Sequence, residues 1–538
     1  MLRIRPVRPE FVSLLASAFL LLAFNSVLWQ HLGTMTQALH LRGAFAAILY
    51  GVFFITLTLL SFPYIQKVML VGLCLVSSLV AYFMNHYGVM IDAGMFRNVA
   101  ETNVTEVRDL LSLSLLWHIL LLGVVPSVIL FKAPVAYRAW PRELAARLAA
   151  VCIAAVLVGA TAWSNYQGLA SLFRNHHELR LMVVPSNVIG ATAGYLREQV
   201  ASAREPFVKI GDDAHRSPGA LAHRRPSLTV LVVGESARAD NFGILGYSRN
   251  TTPELARQEG VIAFPNVHSC GTETAVSVPC MFSNLGRKDY SASKVQNREG
   301  LLDVLLRAGV DVRWRDNQSG CKGVCDRVGI EDVSKATDPA LCAHSECRDE
   351  ILLRGLDGYI DNLQRDTVLV LHQMGSHGPE YFKRYPKAFE RFTPVCQSNA
   401  LNDCSQDSIV NAYDNTIVYT DHVLSSLIDV LRRHQNKVDT AMVYLSDHGE
   451  SLGEFNLYLH GTPYLFAPEQ QKHIGMLAWF SAGYEQDVGL SSRCLEQART
   501  QPLSQDNLFH SMLGLLDVQT QAYQPGLDMF ATCRSPRV

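Results

Sequence analysis

The chain has 538 residues, 18% of them charged and 49% hydrophobic, with a formal net charge of −2. That length exceeds one domain. The near-neutral charge argues against a nucleic-acid partner, which a strongly basic surface would serve.

Apolar stretches close to the ~20 residues that cross a bilayer occur at 11–31, 43–62, 66–87, 113–133 and 147–166. They predict a five-span membrane domain over residues 1–166. No small-residue cleavage site follows the first stretch, so it reads as a retained anchor rather than a signal peptide. Arg3, Arg5 and Arg8 precede span one, Lys67 separates spans two and three, and Lys132, Arg138, Arg142 and Arg147 lie between four and five. The positive-inside rule puts these segments in the cytoplasm, and an odd span count then puts the remainder outside.

Residues 167–225 read as a bridging segment. Leu172, Phe173, Leu179, Leu181 and Met182 stand beside Arg174, His176 and His177, and the polar run His223-Arg224-Arg225-Pro226 closes it. Two readings stay open: a helix on the membrane surface or a packed connector.

Residues 226–538 form the expected catalytic domain. Strands are predicted at 227–233, 261–267, 310–314, 367–372, 440–445 and 474–480, and helices at 251–259, 299–308, 349–364, 408–434 and 504–516. This alternation indicates an α/β domain whose largely parallel sheet has helices on both faces.

Of twelve cysteines, Cys74 and Cys152 fall inside spans and ten lie in the outer half. An even set in an exported domain suggests disulfides, with nearest neighbours paired. A structural zinc site built on Cys321-x-x-x-Cys325 is the competing reading.

Three buried-strand runs carry the chemistry. Leu228-Thr-Val-Leu-Val-Val-Gly-Glu235 ends in a carboxylate, Thr367-Val-Leu-Val-Leu-His372 leads to His377, and Met442-Val-Tyr-Leu-Ser-Asp447-His448 ends in a carboxylate and an imidazole. Ligands of open α/β sheets gather at the carboxyl ends of strands, so three strand ends carrying Glu235, His377 and Asp447-His448 predict one metal site at one sheet edge. Gly449 is expected to let the backbone turn away at once. Oxygen and nitrogen donors without thiolate suit zinc, with manganese the alternative.

A nucleophile is expected in Cys270-Gly-Thr-Glu-Thr274-Ala-Val-Ser-Val-Pro-Cys280. An alcohol needs a base or a metal to become nucleophilic at neutral pH. A Cys270–Cys280 bond would hold the segment rigid and contribute about 2–3 kcal/mol. Spacing leaves Thr272, Thr274 and Ser277 in competition. His377 and His460 are candidate substrate groups or ligands of a second metal, Lys322 a candidate cation for a phosphate, and His372 a structural histidine. Cys280-Met-Phe-Ser-Asn lacks the proline and arginine of the formylglycine-forming motif, which speaks against sulfate-ester hydrolysis.

The chain resembles the phosphoethanolamine–lipid A transferases of the alkaline-phosphatase-like superfamily, the polymyxin-resistance type. The resemblance rests on Val-Gly-Glu235-Ser-Ala-Arg-Ala-Asp, the Cys270–Cys280 segment, Trp314-Arg-Asp-Asn-Gln-Ser-Gly-Cys-Lys322-Gly, His372-Gln-Met-Gly-Ser-His377-Gly-Pro and Ser446-Asp-His-Gly-Glu-Ser-Leu-Gly-Glu. It implies an alkaline-phosphatase-like catalytic domain, Thr274 as the nucleophile, and Glu235, Thr274, Asp447 and His448 as the Zn²⁺ site. Lys322, His377 and His460 match residues that contact phosphoethanolamine or an additional zinc. Asn98, Thr102 and Glu106, spaced i, i+4, i+8, match a trio lining the lipid-headgroup pocket. Gln318 stands where many relatives carry a substrate-contacting asparagine. The resemblance also implies a Cys494–Cys533 bond beside the adjacent pairs.

These features lead to one expectation. A monomeric, multi-pass protein of the bacterial inner membrane, with its catalytic domain in the periplasm, transfers phosphoethanolamine from phosphatidylethanolamine to a lipid A phosphate through modified Thr274. The same chemistry on a lipopolysaccharide core sugar or other glycan is one alternative, and a glycerol-phosphate transferase of the lipoteichoic-acid type is another. From a different class, a non-catalytic sensor or scaffold would carry a degenerate site, and no metal or nucleophile position is missing here.

Overall fold

The computed structural model describes residues 6–101, 104–218, 225–343 and 346–535. Arg3, Arg5, Thr102, His223 and Arg224 lie outside the described residues, as does the side chain of Glu106. The chain divides into two compact units, one of Met1–Ala93 with Leu111–Gly194, the other of Gly94–Leu110 with Tyr195–Val538.

In the first unit, helices Leu39–Leu59, Ile65–Tyr87, Leu113–Lys132 and Trp140–Ser164 are each long and apolar enough to cross a membrane. The expected first span is a pair of helices, Pro9–Ala23 and Ser26–Met35, bent by 65°. Counted as one span, the pair gives the predicted five. The bend has a chemical cause in Asn25. Its buried amide donates to the carbonyls of Leu20 and Val184 and accepts from the Val184 N–H, at 2.9–3.0 Å. The Val184 segment belongs to the bridging residues, and Leu172, Leu179, Met182 and Val183 are buried in the core of this unit. This part of the bridging segment therefore packs onto the helical unit, while Phe173 stays exposed. The basic segments meet at one end of the bundle: Arg8 donates to the Ala136 carbonyl, Lys67 to that of Phe131, and Arg138 pairs with Glu10 at 2.6 Å. That grouping is the one the positive-inside rule requires.

The second unit is built on a seven-stranded sheet: β1 (Ser227–Gly234), β2 (Ile262–Ala263), β3 (Asp311–Asp316), β4 (Gly329–Asp332), β5 (Thr367–His372), β6 (Asp439–Ser446) and β7 (Met476–Phe480). Their order is β2-β7-β6-β1-β5-β3-β4. The run from β6 to β4 is parallel, while β7 and β2 are antiparallel additions at one edge. Two-residue periodicity sends side chains alternately to two cores. Leu228, Val230 and Val232 join Leu369, Leu371, Met442 and Tyr444 under the Gln406–His434 helix. Leu231 and Val233 join Val368, Val370, Val443 and Leu445 under helices Thr274–Met281, Leu301–Arg307 and Asp506–Leu515. Helices therefore cover both faces, as the strand pattern predicts.

The long helix is well specified. Ser405 caps it by accepting from the Ser408 N–H, Asp407 stands in its first turn, and Arg432, Arg433 and His434 end it, all favourable to the helix dipole. Other elements depart from expectation. The predicted strand 261–267 breaks at Pro265, which has no N–H for a ladder, into β2 and a short Val267–His268 strand that pairs with Leu503–Ser504. The predicted 349–364 helix is split by Gly355, whose φ of +71° suits glycine, leaving a 3-10 turn and the Leu356–Asp361 helix. The predicted 251–259 helix is reduced to the 3-10 turn Leu255–Arg257. Strand β4 was not predicted, because all four of its residues are exposed and it carries no hydrophobic period.

All ten outer cysteines are paired as expected, in Cys270–Cys280, Cys321–Cys325, Cys342–Cys347, Cys396–Cys404 and Cys494–Cys533, and Cys74 and Cys152 are free. The Cys321–Cys325 bond removes the zinc–thiolate reading.

Candidate active site

Parallel register aligns the strand ends. Ser446 is opposite Gly234, and Val233 is opposite His372, which is itself opposite Asp316. The next residues along β1 and β6, Glu235 and Asp447–His448, therefore emerge side by side. Thr274, the first residue of the Thr274–Met281 helix, faces them. Its Oγ1 lies 3.0 Å from Glu235 Oε2 and 3.3 Å from His448 Nε2. His448 Nε2 is in turn 3.4 Å from Glu235 Oε1 and 3.3 Å from Asp447 Oδ2. All four residues are buried.

The three hydroxyls left in competition by spacing are now separated by their partners. Thr272 donates to the Thr462 carbonyl at 2.6 Å, and Ser277 accepts from the Gly271 N–H at 3.0 Å. Thr274 alone of the three meets the carboxylate and the imidazole.

The donor set fits a metal ion. One ligand atom from each of Glu235, Asp447 and His448 lies within 4.8 Å of the others. The backbone N–H groups of Ser236 and His448 donate to Asp447 Oδ1 at 3.0 and 2.7 Å, whereas Oδ2 is buried and accepts no hydrogen bond among the described residues. His448 Nδ1 donates to the Gly449 carbonyl at 2.9 Å, which fixes the tautomer and leaves the Nε2 lone pair for a ligand bond. Burial, with the His460 charge nearby, pulls the His448 imidazole down to about 3. Burial and the adjacent Glu235 charge push the Asp447 carboxyl well up. Burial also opposes charge on Glu235, but the imidazoles of His448, His377 and His460 hold it below the usual carboxylate range. Two carboxylates beside a neutral imidazole, all buried, are an arrangement that a divalent cation satisfies.

Gly449 serves a different purpose from the one expected. A Cβ there would sit 2.0 Å from the Gln470 carbonyl oxygen, so glycine is required by close approach of backbone rather than by a sharp turn.

His460 lies beside His448, the rings tilted with centroids 4.3 Å apart, and the His377 ring centroid lies 5.7 Å from that of His460. Both histidines thus gather beside the metal-competent cluster. Gln318 donates to Glu235 Oε2 at 2.7 Å, which places it against a carboxylate of the metal-competent cluster. Lys322, at φ +52°, donates to Ser319 Oγ at 3.1 Å and lines a separate cavity. His372 is structural as read, its Nδ1 donating to Asp316 Oδ1 at 2.7 Å in the core. Asn98 lies in the Ala93–Glu101 helix and Glu106 in Val104–Asp109. This segment is tied to the catalytic unit by Arg97–Glu198 and by Asp109, which pairs with Lys383 and Arg384 at 3.1 and 2.9 Å. Arg384 Nε also donates to the His377 carbonyl at 2.8 Å.

Two residues escaped the sequence reading. Buried Glu450 accepts from Tyr381 Oη at 2.6 Å and from His460 Nδ1 at 2.8 Å. It lies two residues after His448, and that proximity was the available signal. Gln505 donates to the carbonyls of Ser446 and Asp447 at 2.9 and 2.6 Å and accepts from the Cys270 N–H at 2.6 Å. It clamps the end of β6 to the Cys270 loop, yet in sequence it is one polar residue before a helix.

Known proteins share the whole layout. Phosphoethanolamine transferase EptA of Salmonella typhimurium is 45% identical over 482 residues, covering 89% of this chain and 87% of that one. The chain belongs to the phosphoethanolamine transferase family. Phosphatidylethanolamine transferase Mcr-1 of Escherichia coli is 38% identical, with 88% of each chain covered. The structure of the integral membrane lipooligosaccharide phosphoethanolamine transferase A of Neisseria meningitidis superposes with a TM-score of 0.95 at 35% identity, covering 99% of this chain and 100% of that one. Residues 49–200 match the family described as phosphoethanolamine transferase EptA/EptB, and residues 227–518 match the sulfatase family. Within the phosphoethanolamine transferases the sulfatase match describes the catalytic fold, and the formylglycine-forming motif is missing at Cys280.

Proposed function

We propose that this chain is a multi-pass inner-membrane enzyme with a membrane domain at 1–166, a bridging segment at 167–225 and a periplasmic catalytic domain at 226–538. It moves phosphoethanolamine from phosphatidylethanolamine to a phosphate of lipid A. The contact of Thr274 Oγ1 with both Glu235 and His448 carries the reading.

Glu235, Asp447, His448 and Thr274 would hold zinc, which supplies Lewis-acid stabilisation of negative oxygen at this point. The Thr274 hydroxyl donates toward Glu235 Oε2, the direction in which its proton leaves. Thr274 Oγ1 forms a bond to the donor phosphorus as the bond from phosphorus to the glycerol oxygen breaks. Diacylglycerol departs with a proton supplied by His460 or His377, whose rings flank the cluster. A phosphate oxygen of the acceptor then attacks the same phosphorus, the Thr274–phosphorus bond breaks, and Thr274 recovers a proton. Burial excludes bulk water, which suppresses hydrolysis of the modified threonine. The position of Thr274 at a helix N-terminus favours the anionic phosphoryl group. Asn98, Thr102 and Glu106 are the residues for the donor headgroup, where a carboxylate meets the ethanolamine ammonium, and Gln318 and Lys322 are further substrate contacts.

The product carries less negative charge, so cationic peptides such as polymyxin bind it less well. The likeness to phosphatidylethanolamine transferase Mcr-1 supports the donor, and the likeness to a Kdo(2)-lipid A phosphoethanolamine 7''-transferase supports an acceptor that contains lipid A. The test is lipid analysis of cells expressing wild type or Thr274→Ala. Phosphoethanolamine on lipid A with wild type alone is expected. Equal modification by the variant would remove Thr274 from the mechanism.

A further inference from the structure

A cavity of about 490 Å³ opens in the catalytic unit beyond the C-terminal end of the Thr274 helix, where Pro279 and Ser283 line it. None of Glu235, Thr274, Asp447 and His448 reaches its wall. Its size falls within the range of small-molecule sites, with room for a phosphorylated sugar.

The charges in its wall do not cancel. Glu299 pairs with Arg307, and its other oxygen accepts from the Ile210 and Gly211 N–H groups at 3.0 and 3.2 Å. Arg327 makes a two-pronged pair with Asp303 at 2.6 and 2.7 Å, and exposed Asp326 adds a second negative charge near it. Glu299, Asp303, Arg307 and Arg327 are thus paired, while Asp326 is exposed to solvent. Lys322, by contrast, has Ser319 Oγ as its only hydrogen-bond partner and no carboxylate among the described residues. The Arg298 guanidinium forms no ion pair or hydrogen bond among the described residues, and its Nε is buried. A buried guanidinium N–H without an acceptor is costly, so Arg298 lines the cavity without a partner for its side chain among the described residues, and Lys322 lines it with one hydroxyl as its partner.

We propose that this cavity binds a phosphomonoester, gripped by Arg298 with Lys322. A planar guanidinium matches two phosphate oxygens at once, and the ammonium adds a point charge. Where it concerns the acceptor, the proposal rests on the function proposed above: the group held here is a second phosphate of the acceptor glycolipid, distinct from the one that is modified.

The experiment measures binding to full-length, zinc-loaded protein in detergent without any donor lipid, so it does not depend on Thr274 chemistry. The probes are inorganic phosphate, a bis-phosphorylated glycolipid, and the same glycolipid after removal of its phosphates. Wild type, Arg298→Gln and Arg298→Lys are compared, with the melting temperature confirming that each is folded. Arg298→Gln should weaken binding of the phosphorylated glycolipid by about tenfold, the loss of a charge-assisted pair. The dephosphorylated glycolipid should be unaffected, and Arg298→Lys should recover part of the loss. Inorganic phosphate bound with the same dependence on Arg298 identifies free phosphate as a sufficient ligand. Discrimination confined to the glycolipid identifies the headgroup. Equal binding of every probe by wild type and Arg298→Gln would overturn the proposal.

Discussion

His460 Nδ1 and Glu450 Oε2 lie 2.8 Å apart, inside the catalytic unit and beside the metal-competent cluster. Burial opposes a charge on His460, but Glu450 outweighs it and lifts the imidazole to about 9. Glu450 is held in turn by Tyr381, so the ring has a fixed orientation and a single free nitrogen, Nε2. Glu450→Gln should lower transfer by about 10²-fold, the usual scale for a positioned acid–base group, while zinc bound through Glu235, Asp447 and His448 is retained. Zinc content and turnover measured together check this. Full turnover in the variant would show that His460 needs no such support.

Gln505 bonds Ser446, Asp447 and Cys270 at once. Gln505→Ala leaves three buried backbone groups unsatisfied and should destabilise the protein by about 2–4 kcal/mol. Thermal unfolding measures that loss. Zinc affinity should fall with it, because the clamp positions the Asp447 end of β6 against the nucleophile loop.

Metal removal should reverse the effect of one substitution. With zinc bound, Asp447→Asn loses a ligand charge and is less stable than wild type. After chelation, burial and the Glu235 charge oppose ionisation of Asp447, and the neutral amide escapes that cost. Chelated Asp447→Asn should then be the more stable by about 1–2 kcal/mol. Melting temperatures with and without chelator decide the sign.

Asp316 gives a pH-dependent counterpart. Burial raises its carboxyl, but the hydrogen bond and charge of His372, with bonds from Trp314 Nε1 and the Gly320 N–H, hold it down at about 2. A depressed folded-state value means stability that is present above the unfolded value near 4 and lost as pH falls toward 2. The melting-temperature difference between wild type and Asp316→Asn should be full above about pH 4 and close below it. A difference independent of pH would assign the effect to packing.

Sequence periodicity carried the large features well. Continuous β-branched runs are what a doubly covered parallel strand requires, so β1, β5 and β6 were legible, and register then forced Glu235 and Asp447 together. The Gln406–His434 helix was legible because its apolar stripe and both ends agree. Short or exposed elements were not: β4 buries nothing, and Pro265 and Gly355 cut patterns that composition alone would continue. The bend at Asn25 depends on Val184, a partner 159 residues away, which no local window contains. For the same reason Gln505 was invisible, since its three partners come from two distant segments. Thr274 could be separated from Thr272 and Ser277 only once each hydroxyl had its partner.

The decisive measurement is peptide mass spectrometry of the purified, zinc-loaded full-length protein after incubation with phosphatidylethanolamine. A phosphoethanolamine adduct on the Cys270–Cys280 peptide, localised to Thr274 and absent from Thr274→Ala, is the predicted result. An unmodified peptide in wild-type protein that still modifies its acceptor would contradict a covalent threonine intermediate.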